Sequence, residues 1–176
     1  ERLMAAPTRP ASVKAFGTEK IIFCPTESAS IAVLGGSTAL DVTKMWFDSA
    51  ARPDATANMA QSPPRVGDIE SYEFVGQTQW TLGEVRYQHS PQGAAESDGV
   101  KAFEKTPPGT TGFLYFRRGI NRDTDLAATT QKVDRYPVEA GPQVPIKEGD
   151  GEGSEWGIKQ AFAITGPPAF GVTLTA

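Results

Sequence analysis

A short stretch dense in aromatic residues and bounded by turn residues constrains the fold of this chain more than any other feature. Pro107 and Pro108 precede a Gly-Thr-Thr-Gly turn sequence at 109–112. The residues Phe-Leu-Tyr-Phe-Arg-Arg follow at 113–118, and Gly119 closes the run. Aromatic runs of this length between Gly and Pro signals are typical of β-strands. The pattern therefore predicts a strand over Phe113–Arg118.

The two faces of this predicted strand have the same character. Successive side chains of a strand point to opposite sides, so Phe113, Tyr115 and Arg117 share one face and the other three residues share the second. Each face is apolar and ends in one cation, Arg117 or Arg118. This predicts a central strand that is packed on both sides and whose tip reaches solvent or a neighbouring molecule.

Composition favours one β-rich domain. The chain has 176 residues, of which 39% are hydrophobic and 22% charged, which is ordinary for a globular protein. Its 18 glycines and 14 prolines fit many strands joined by turns better than a helix bundle. The net charge of −4, with acids and bases interspersed, argues against a dedicated nucleic-acid or membrane binder.

Cysteine content and hydropathy bear on where the protein folds. Cys24 is the only cysteine, so no disulfide framework exists within the chain and folding in a cytoplasm is the default expectation. No apolar run approaches the ~20 residues of a membrane span. Residues 1–10 lack the apolar core of a signal peptide.

Periodicity along the chain predicts further strands joined by turns. They are expected at 19–25, 38–47, 69–76, 79–89, 132–140, 156–165 and 170–174, with one short helix over 100–105. The pair 69–76 and 79–89 is expected to form a hairpin through Gly76-Gln77-Thr78, with a bulge near Gly83. Residues 28–34 fit either a helical turn or a strand.

Two predicted strands carry particular expectations. Pro137 lies in 132–140 and cannot donate to a ladder, which predicts a sheet edge or a bulge there. The strand 156–165 has the cleanest alternation. One of its faces is formed by Trp156, Ile158, Gln160, Phe162 and Ile164.

Three segments lack a useful pattern. Residues 1–18 are expected to form an extended amino-terminal arm, 48–68 a long loop without secondary structure, and 146–155 a flexible acidic loop. The predicted organisation is thus an arm over 1–18 and a single β domain over 19–176. The predicted fold class is mostly β, a sandwich or flattened barrel with one short flanking helix and long loops.

A search for chemistry finds no constellation that supports an enzyme, a metal site or a cofactor site. His89 is the only histidine and is interpreted as a surface residue at a strand end. Cys24 lies in an apolar run and is interpreted as a buried, inert thiol. The acids of 148–155 alternate with glycine in the wrong register for a twelve-residue calcium loop, which favours a solvated turn.

The order of several weak motifs gives the chain its resemblance. After the Gly-Thr-Thr-Gly strand and Arg-Arg-Gly come Lys-Val-Asp-Arg-Tyr-Pro-Val at 132–138 and then Trp-Gly-Ile-Lys-Gln-Ala-Phe-Ala-Ile-Thr-Gly at 156–166. Most clearly over 80–176, this resembles the major tail protein, or tail tube protein, of long-tailed bacteriophages, especially those of actinobacterial hosts. The positions that carry the resemblance are Gly109, Gly112, Gly119, Tyr136, Pro137, Gly141, Gln160 and Gly166.

The resemblance implies a structural virion protein. Members of this family fold as a β-sandwich with a flanking helix, form hexameric rings, and stack into a tube around a tape-measure protein. A sheet from each subunit joins its neighbours in a closed inner barrel. The implied partners are further copies of the chain, the tape-measure protein, the tail terminator and baseplate or tip proteins. DNA is expected to pass without specific binding, with no membrane involved, in a virion tail assembled in the host bacterial cytoplasm.

Several hypotheses follow for particular residues. Arg117 and Arg118 are suspected inter-subunit contacts, since Arg is the preferred interface cation. Residues 1–18 and 48–68 are suspected to reach between subunits or rings. Positions that face the bore are expected to be polar, small or acidic rather than rich in Lys and Arg, since cations there would retain phosphates.

Alternative functions stay open at this point. A tail terminator or connector, or a tube protein of a type VI secretion system, belongs to the same assembly class. A carbohydrate-binding β-sandwich is a candidate from another class, with Trp46, Trp80 and Trp156 as stacking platforms. The alignment of these tryptophans with the apolar strand faces favours a core position for them.

Overall fold

The computed structural model describes residues 17–47, 52–63, 66, 73–92 and 98–176. In these residues the chain is mostly β, which confirms the predicted fold class. The strands are β1 (Glu19–Cys24), β2 (Leu40–Asp41), β3 (Asp54–Gln61), β4 (Glu73–Thr81), β5 (Glu84–Gln88), β6 (Thr111–Arg118), β7 (Lys132–Glu148), β8 (Glu155–Ile164) and β9 (Ala169–Thr173). The helices are α1 (Ile31–Leu34) and α2 (Asp98–Lys105), with a 3-10 turn at Gly151–Gly153.

The aromatic strand lies at the centre of the main sheet, as predicted. The sheet is antiparallel with the order β2-β1-β6-β7-β8-β5, and β9 pairs with the first residues of β7. Both glycines that bracket β6 have left-handed backbone angles, with φ of +84° at Gly109 and +83° at Gly119. Such angles favour glycine and turn the chain sharply at each end of the strand.

Two hydrophobic clusters cover the two faces of the sheet. The larger cluster contains alternate residues of β1, β6, β7 and β8, together with Leu82, Val85 and Tyr87 around β5 and Ala102 of α2. The smaller cluster contains Ile22, Cys24, Leu34, Ala39, Tyr115, Val133 and Leu174. Because Leu114 and Phe116 join the first cluster and Tyr115 the second, β6 is buried from both sides.

The segment after β2 connects the two ends of the strand order. β2 pairs with β1 at one end, and a few residues later the Phe47 amide donates to the Arg86 carbonyl of β5 (3.0 Å) at the other. The Gln88 amide donates in return to the Met45 carbonyl (2.9 Å). The sheet therefore curls around the larger cluster, as in the flattened barrel that the sequence predicts.

The strand predicted over 38–47 is wrong beyond its first residues. β2 ends at Asp41, whose carboxylate accepts hydrogen bonds from both the backbone amide (3.0 Å) and the hydroxyl of Thr43. An aspartate that binds the backbone two residues ahead turns the chain. The Trp46 amide then bonds back to the Val42 carbonyl in a helical turn (3.1 Å).

The prediction of a loop without secondary structure over 48–68 is also wrong. Residues Asp54–Gln61 form β3, which pairs with β4 in a separate two-stranded ribbon.

The predicted hairpin between 69–76 and 79–89 is wrong as well, because Gly76–Thr78 lies inside β4. Gly83, with φ of +71°, separates β4 from β5. β5 pairs instead with β8.

β7 is longer than predicted and shortens the acidic loop. Pairing of β7 with β8 continues to Glu148 opposite Glu155, so only 149–154 connect them.

Pro137 lies at neither an edge nor a register shift, contrary to expectation. Pro137 lies where the strand beside β7 changes from β9 to β8. Its carbonyl accepts a hydrogen bond from the Thr165 amide (3.0 Å). Because neither β9 nor β8 pairs with this residue, the missing backbone N–H of proline removes no hydrogen bond between strands.

The short helices agree with the sequence pattern, whereas the last strand departs from it. α2 confirms the helix predicted over 100–105, and the open segment 28–34 contains the single turn α1. The period of two predicted for the last strand fails at Gly171, where φ is +62°. Phe170 thus stacks with Trp80 and Tyr136, while Val172 and Leu174 pack into the smaller cluster on the other side.

Candidate functional site

Arg117 does not reach the surface. Its side chain is 0% exposed and its guanidinium holds the loop that follows β6. The terminal nitrogens donate to the backbone carbonyls of Asn121 (2.8 Å), Thr124 (2.9 Å) and Asp125 (3.2 Å) and to the Gln131 side-chain oxygen (2.9 Å). Burial lowers the pKa of this guanidinium from its ordinary value. Arg117 therefore offers no surface to a neighbouring subunit, contrary to the sequence-based expectation.

Arg118 is partly exposed and bridges three strands. It contacts the carboxylates of Glu19 on β1 (3.3 Å) and Asp134 on β7 (2.8 Å). Its guanidinium also lies 5.2 Å from the centre of the Phe116 ring. These contacts fix the end of β6 within the subunit, and a role for Arg118 between subunits stays a prediction.

Gln160 anchors the flanking helix to the sheet. Its side-chain amide donates to the carbonyls of Thr106 (2.7 Å) and Gly141 (3.0 Å), and its oxygen accepts from the hydroxyls of Tyr87 (3.1 Å) and Thr106 (3.2 Å). Gln143 adds bonds to Tyr87 and to the end of α2. Gln160, Thr106 and Tyr87 are buried, and Gln143 is half-buried. The network joins α2 to the register shift of β7 at Ala140/Gln143.

Other positions that carry the resemblance lie at close backbone approaches. A Cβ at Gly112 would lie 2.7 Å from the Phe23 ring, and one at Gly166 would lie 3.3 Å from Pro137. Tyr136 packs edge-on against Phe116 and Trp80 in the larger cluster. The structure thus gives these residues packing roles and brings Gln160 together with Gly141, and Pro137 with Gly166.

The β3–β4 ribbon is the most exposed pair of strands in the described chain. Nearly all of its residues are exposed, and only Trp80 and Ala60 are half-buried. Trp80 anchors its base, because the indole packs against the larger cluster and lies 5.4 Å from the Phe170 ring. Farther out, Met59 (58% exposed) pairs with Val75 (64% exposed). Among the described residues, no part of the subunit buries this apolar pair, and exposed apolar groups of this kind are available to a partner.

The far half of β7 has a neighbour on only one side among the described residues. β6 pairs with β7 as far as Glu139, whereas β8 continues to Glu148. The Trp156 carbonyl and the Phe162 amide of β8 bond toward β5, to His89 (3.1 Å) and Gly83 (3.3 Å). Alternate residues of a strand direct their backbone groups to opposite sides, so the odd-numbered residues of β8 bond to β7.

The register then identifies which backbone groups of β7 point away from β8. Odd-numbered β8 residues pair with Val144, Ile146 and Glu148. The backbone groups of Gln143, Pro145 and Lys147 therefore face the open side, and we call 143–147 the open edge. Pro145 has no donor to lose there, which fits the restriction of proline to strand edges.

Trp156 corrects the expectation that all three tryptophans are core residues. Trp46 and Trp80 are half-buried against the larger cluster, but Trp156 is 65% exposed near the tip of the β7–β8 hairpin. It continues the apolar face of β8 beyond the end of the core. The alternation of β8 correctly predicted the face but not where the core stops.

The described residues contain no group of three or more His, Cys, Asp or Glu placed to hold a metal ion. Cys24 is buried, and His89 stacks on Phe103 with ring centres 4.6 Å apart. Within the same part of the chain, no helix has the length and apolarity needed to cross a bilayer. The features that stand out are strand edges and exposed apolar residues on two projecting hairpins.

Comparison with known proteins gives these surfaces a context. A family model described as phage tail tube protein matches residues 6–176. This chain belongs to the phage tail tube protein family. The tail tube protein is thus a structural component of a virion tail, from a family of tube-forming proteins rather than a known enzyme family. A search of curated proteins finds no significant match.

Proposed function

We propose that this tail tube protein forms hexameric rings that stack into the hollow tube through which a phage genome is delivered. The observation that carries the proposal is the pair of hairpins, β3–β4 and β7–β8, whose outer strand edges have no pairing strand in the part of the chain that the structure describes. A subunit with open edges is prone to pair with other chains. Closure of a ring pairs those edges in a controlled way, and a second, axial contact extends the rings into a stack.

The open edge 143–147 is the proposed lateral contact. It presents backbone amides at Gln143 and Lys147 and carbonyls at all its outward-facing positions. A strand of the next subunit would satisfy these groups by the same ladder that joins β7 to β8. Val144 and Trp156 lie beside it and would be covered by the same neighbour.

The β3–β4 ribbon is the proposed arm between subunits. The sequence suggested this role for 48–68 because the segment lacked internal packing. The structure of the ribbon supports this role. Trp80 anchors the ribbon to the larger cluster, and Met59 and Val75 are exposed farther out. The amino-terminal arm 1–18 is assigned the same role by its sequence, and all but its last two residues lie outside the described part of the chain.

Further partners follow from a tube of this kind. We assign the tape-measure protein to the bore, the terminator to one end and baseplate or tip proteins to the other, with assembly in the cytoplasm of the host bacterium. A net charge of −4 per subunit opposes tight binding of the passing DNA. Arg118, already paired with Glu19 and Asp134, is retained as a candidate contact at the subunit boundary.

Electron microscopy of the purified, concentrated protein tests the proposal directly. The expected images contain six-fold annuli and tubes with a continuous bore. Single rings that never stack would point to a terminator instead. Particles that stay monomeric in every buffer would refute self-assembly.

A proline substitution tests the open edge. Lys147→Pro removes one outward-facing amide without touching the ladder to β8, so the subunit should still fold. Ring formation should be lost, or its critical concentration should rise at least ~10-fold. Lys147→Ala is the matched control, since it removes the side chain but keeps the amide. Assembly of Lys147→Pro at the wild-type concentration would exclude this edge from the interface.

A further inference from the structure

A lysine-lined pocket lies between α2 and the turn after β2. Its lining residues are Ser37, Ala39, Leu40, Asp41, Lys44, Lys101 and Lys105, and they enclose a volume of about 520 Å³. Lys101 and Lys105 are one helical turn apart on α2, so both ammonium groups reach the same side of the helix. Lys44 approaches from the opposite wall.

Among the lining residues that the structure describes, lysines outnumber acids. Asp41 is the one acid of that described set, and its carboxylate already bonds to Lys20 (3.2 Å) and Thr43. Lys105 donates to the Ser37 carbonyl (2.7 Å), which holds its ammonium at the pocket wall without neutralising it. Lys44 pairs with Asp123 (3.2 Å), but both side chains are well exposed and such a pair is weak. The described lining therefore has three lysines to one aspartate, in a protein whose overall charge is negative.

The tip of the β7–β8 hairpin has the complementary character. Within 148–155 it carries Glu148, Asp150, Glu152 and Glu155 and no lysine or arginine. The 3-10 turn Gly151–Gly153 places Asp150 and Glu152 at its outermost point, and both are exposed. Glu148, at the base of the hairpin tip, pairs with Arg86 (3.3 Å). The negative charge of the tip therefore comes mainly from Asp150 and Glu152.

No residue of this tip lines the pocket of its own subunit. The tip lies six residues beyond Gln143, the point where β7 is bonded to the end of α2. At about 3.3 Å per residue, the hairpin projects about 20 Å past that contact. One subunit thus presents an acidic projection and a basic recess at different places, which is the geometry of a head-to-tail contact.

We infer that the acidic tip Asp150–Glu152 of one subunit docks in the lysine pocket of another copy of the same chain. The inference rests on the proposed tube function and adds a specific contact to it. Each contact would place two carboxylates among three ammonium groups, which gives register and orientation to association. Because these groups are partly solvated, the contact should weaken as salt rises.

Charge reversal on each side of the contact provides the test. The pocket variant is Lys44→Glu with Lys101→Glu, and the tip variant is Asp150→Lys with Glu152→Lys. Each alone should raise the critical concentration for tube assembly at least ~10-fold, because like charges across an interface repel. An equimolar mixture of the two should assemble, since each tip then meets an oppositely charged pocket. The quadruple variant should assemble for the same reason.

Controls separate this contact from general charge effects and from the function itself. Lys132→Glu, compared with Lys44→Glu alone, makes the same change in net charge at an exposed position outside the pocket lining and should assemble normally. Circular dichroism and thermal unfolding of each variant verify the fold, and the tip variant, which alters only an exposed turn, covers the case in which the pocket variant fails to fold.

Three results would overturn the inference. Unchanged assembly of the tip variant excludes the contact, as does failure of both the mixture and the quadruple variant to assemble. Binding of a short DNA duplex that is lost in the pocket variant, while its tubes form normally, would assign the lysines to nucleic acid instead. If the wild-type chain forms no tubes at all, the proposed function fails first.

Discussion

At the scale of single residues, two adjacent arginines show how one strand position changes the role of a side chain. Arg117 and Arg118 are consecutive and chemically identical, yet they lie on opposite faces of β6. Arg117 enters the smaller-cluster side, where a loop folds over it and supplies carbonyl oxygens. Arg118 points to the rim, where carboxylates and solvent share it. Neither outcome follows from the sequence alone, since that of Arg117 depends on where the loop 119–131 lies and that of Arg118 on which strands flank β6.

Replacement of Arg117 should therefore cost far more than replacement of Arg118. Arg117→Met leaves several loop carbonyls without a donor and should reduce the free energy of unfolding by about 3 kcal/mol or more. Arg118→Met breaks only solvent-exposed pairs and should cost less than about 1 kcal/mol. Urea unfolding followed by circular dichroism measures both. Equal losses for the two variants would contradict the assignment of a buried structural role to Arg117 alone.

At the scale of secondary-structure elements, the β3–β4 ribbon is the element that the sequence pattern predicts least well. β3 reads Asp-Ala-Thr-Ala-Asn-Met-Ala-Gln, which has no strand-like apolar alternation because neither face is buried in the subunit. Its backbone is extended because β4 supplies hydrogen-bond partners along its length. By contrast β6 and β8 were predicted correctly, since burial against the sheet's clusters imposes a period of two on their sequences.

Substitution of the exposed ribbon pair separates assembly from folding. Met59→Ser combined with Val75→Thr should leave the thermal unfolding midpoint of the monomer within about 2 °C of wild type, because both side chains are already in water. The same variant should assemble into tubes at least ~10-fold less readily, because the apolar contact with a neighbour is lost. Sedimentation of assembled material measures the second effect. The half-buried, core-facing Trp80 is the contrast position, since Trp80→Ala should lower the stability of the monomer itself.

At the scale of the whole molecule, the curled sheet separates two clusters that each contain buried phenols. Tyr87 and Tyr136 belong to the larger cluster and Tyr115 to the smaller one. Burial is the main cause that raises the pKa of each of these hydroxyls above the ordinary value of 10.0. All three support the fold as neutral groups, with Tyr115 accepting a bond from the Ser28 amide (2.8 Å) and Tyr87 donating to Gln160.

These raised pKa values predict a loss of stability in alkaline solution. Above about pH 10 the tyrosines of the unfolded chain lose protons while those of the folded chain keep them, so the free energy of unfolding falls as pH rises. The limiting slope is about 1.4 kcal/mol per pH unit for each tyrosine. Denaturant unfolding between pH 8 and about pH 11 measures it. Tyr115→Phe should reduce the slope, and an unchanged slope in that variant would contradict the contribution of Tyr115.

The sequence by itself determined the strands whose faces are buried, the turns that glycine imposes and the mostly β class. These follow from local rules, because burial and left-handed backbone angles leave a mark on the residues at that position. Tertiary structure alone decided the burial of Arg117, the partners of β4 and β5, the length of β7 and the exposure of Trp156. Each of these depends on which distant segment lies alongside, and the residues at such a position keep the same chemistry whichever neighbour they meet.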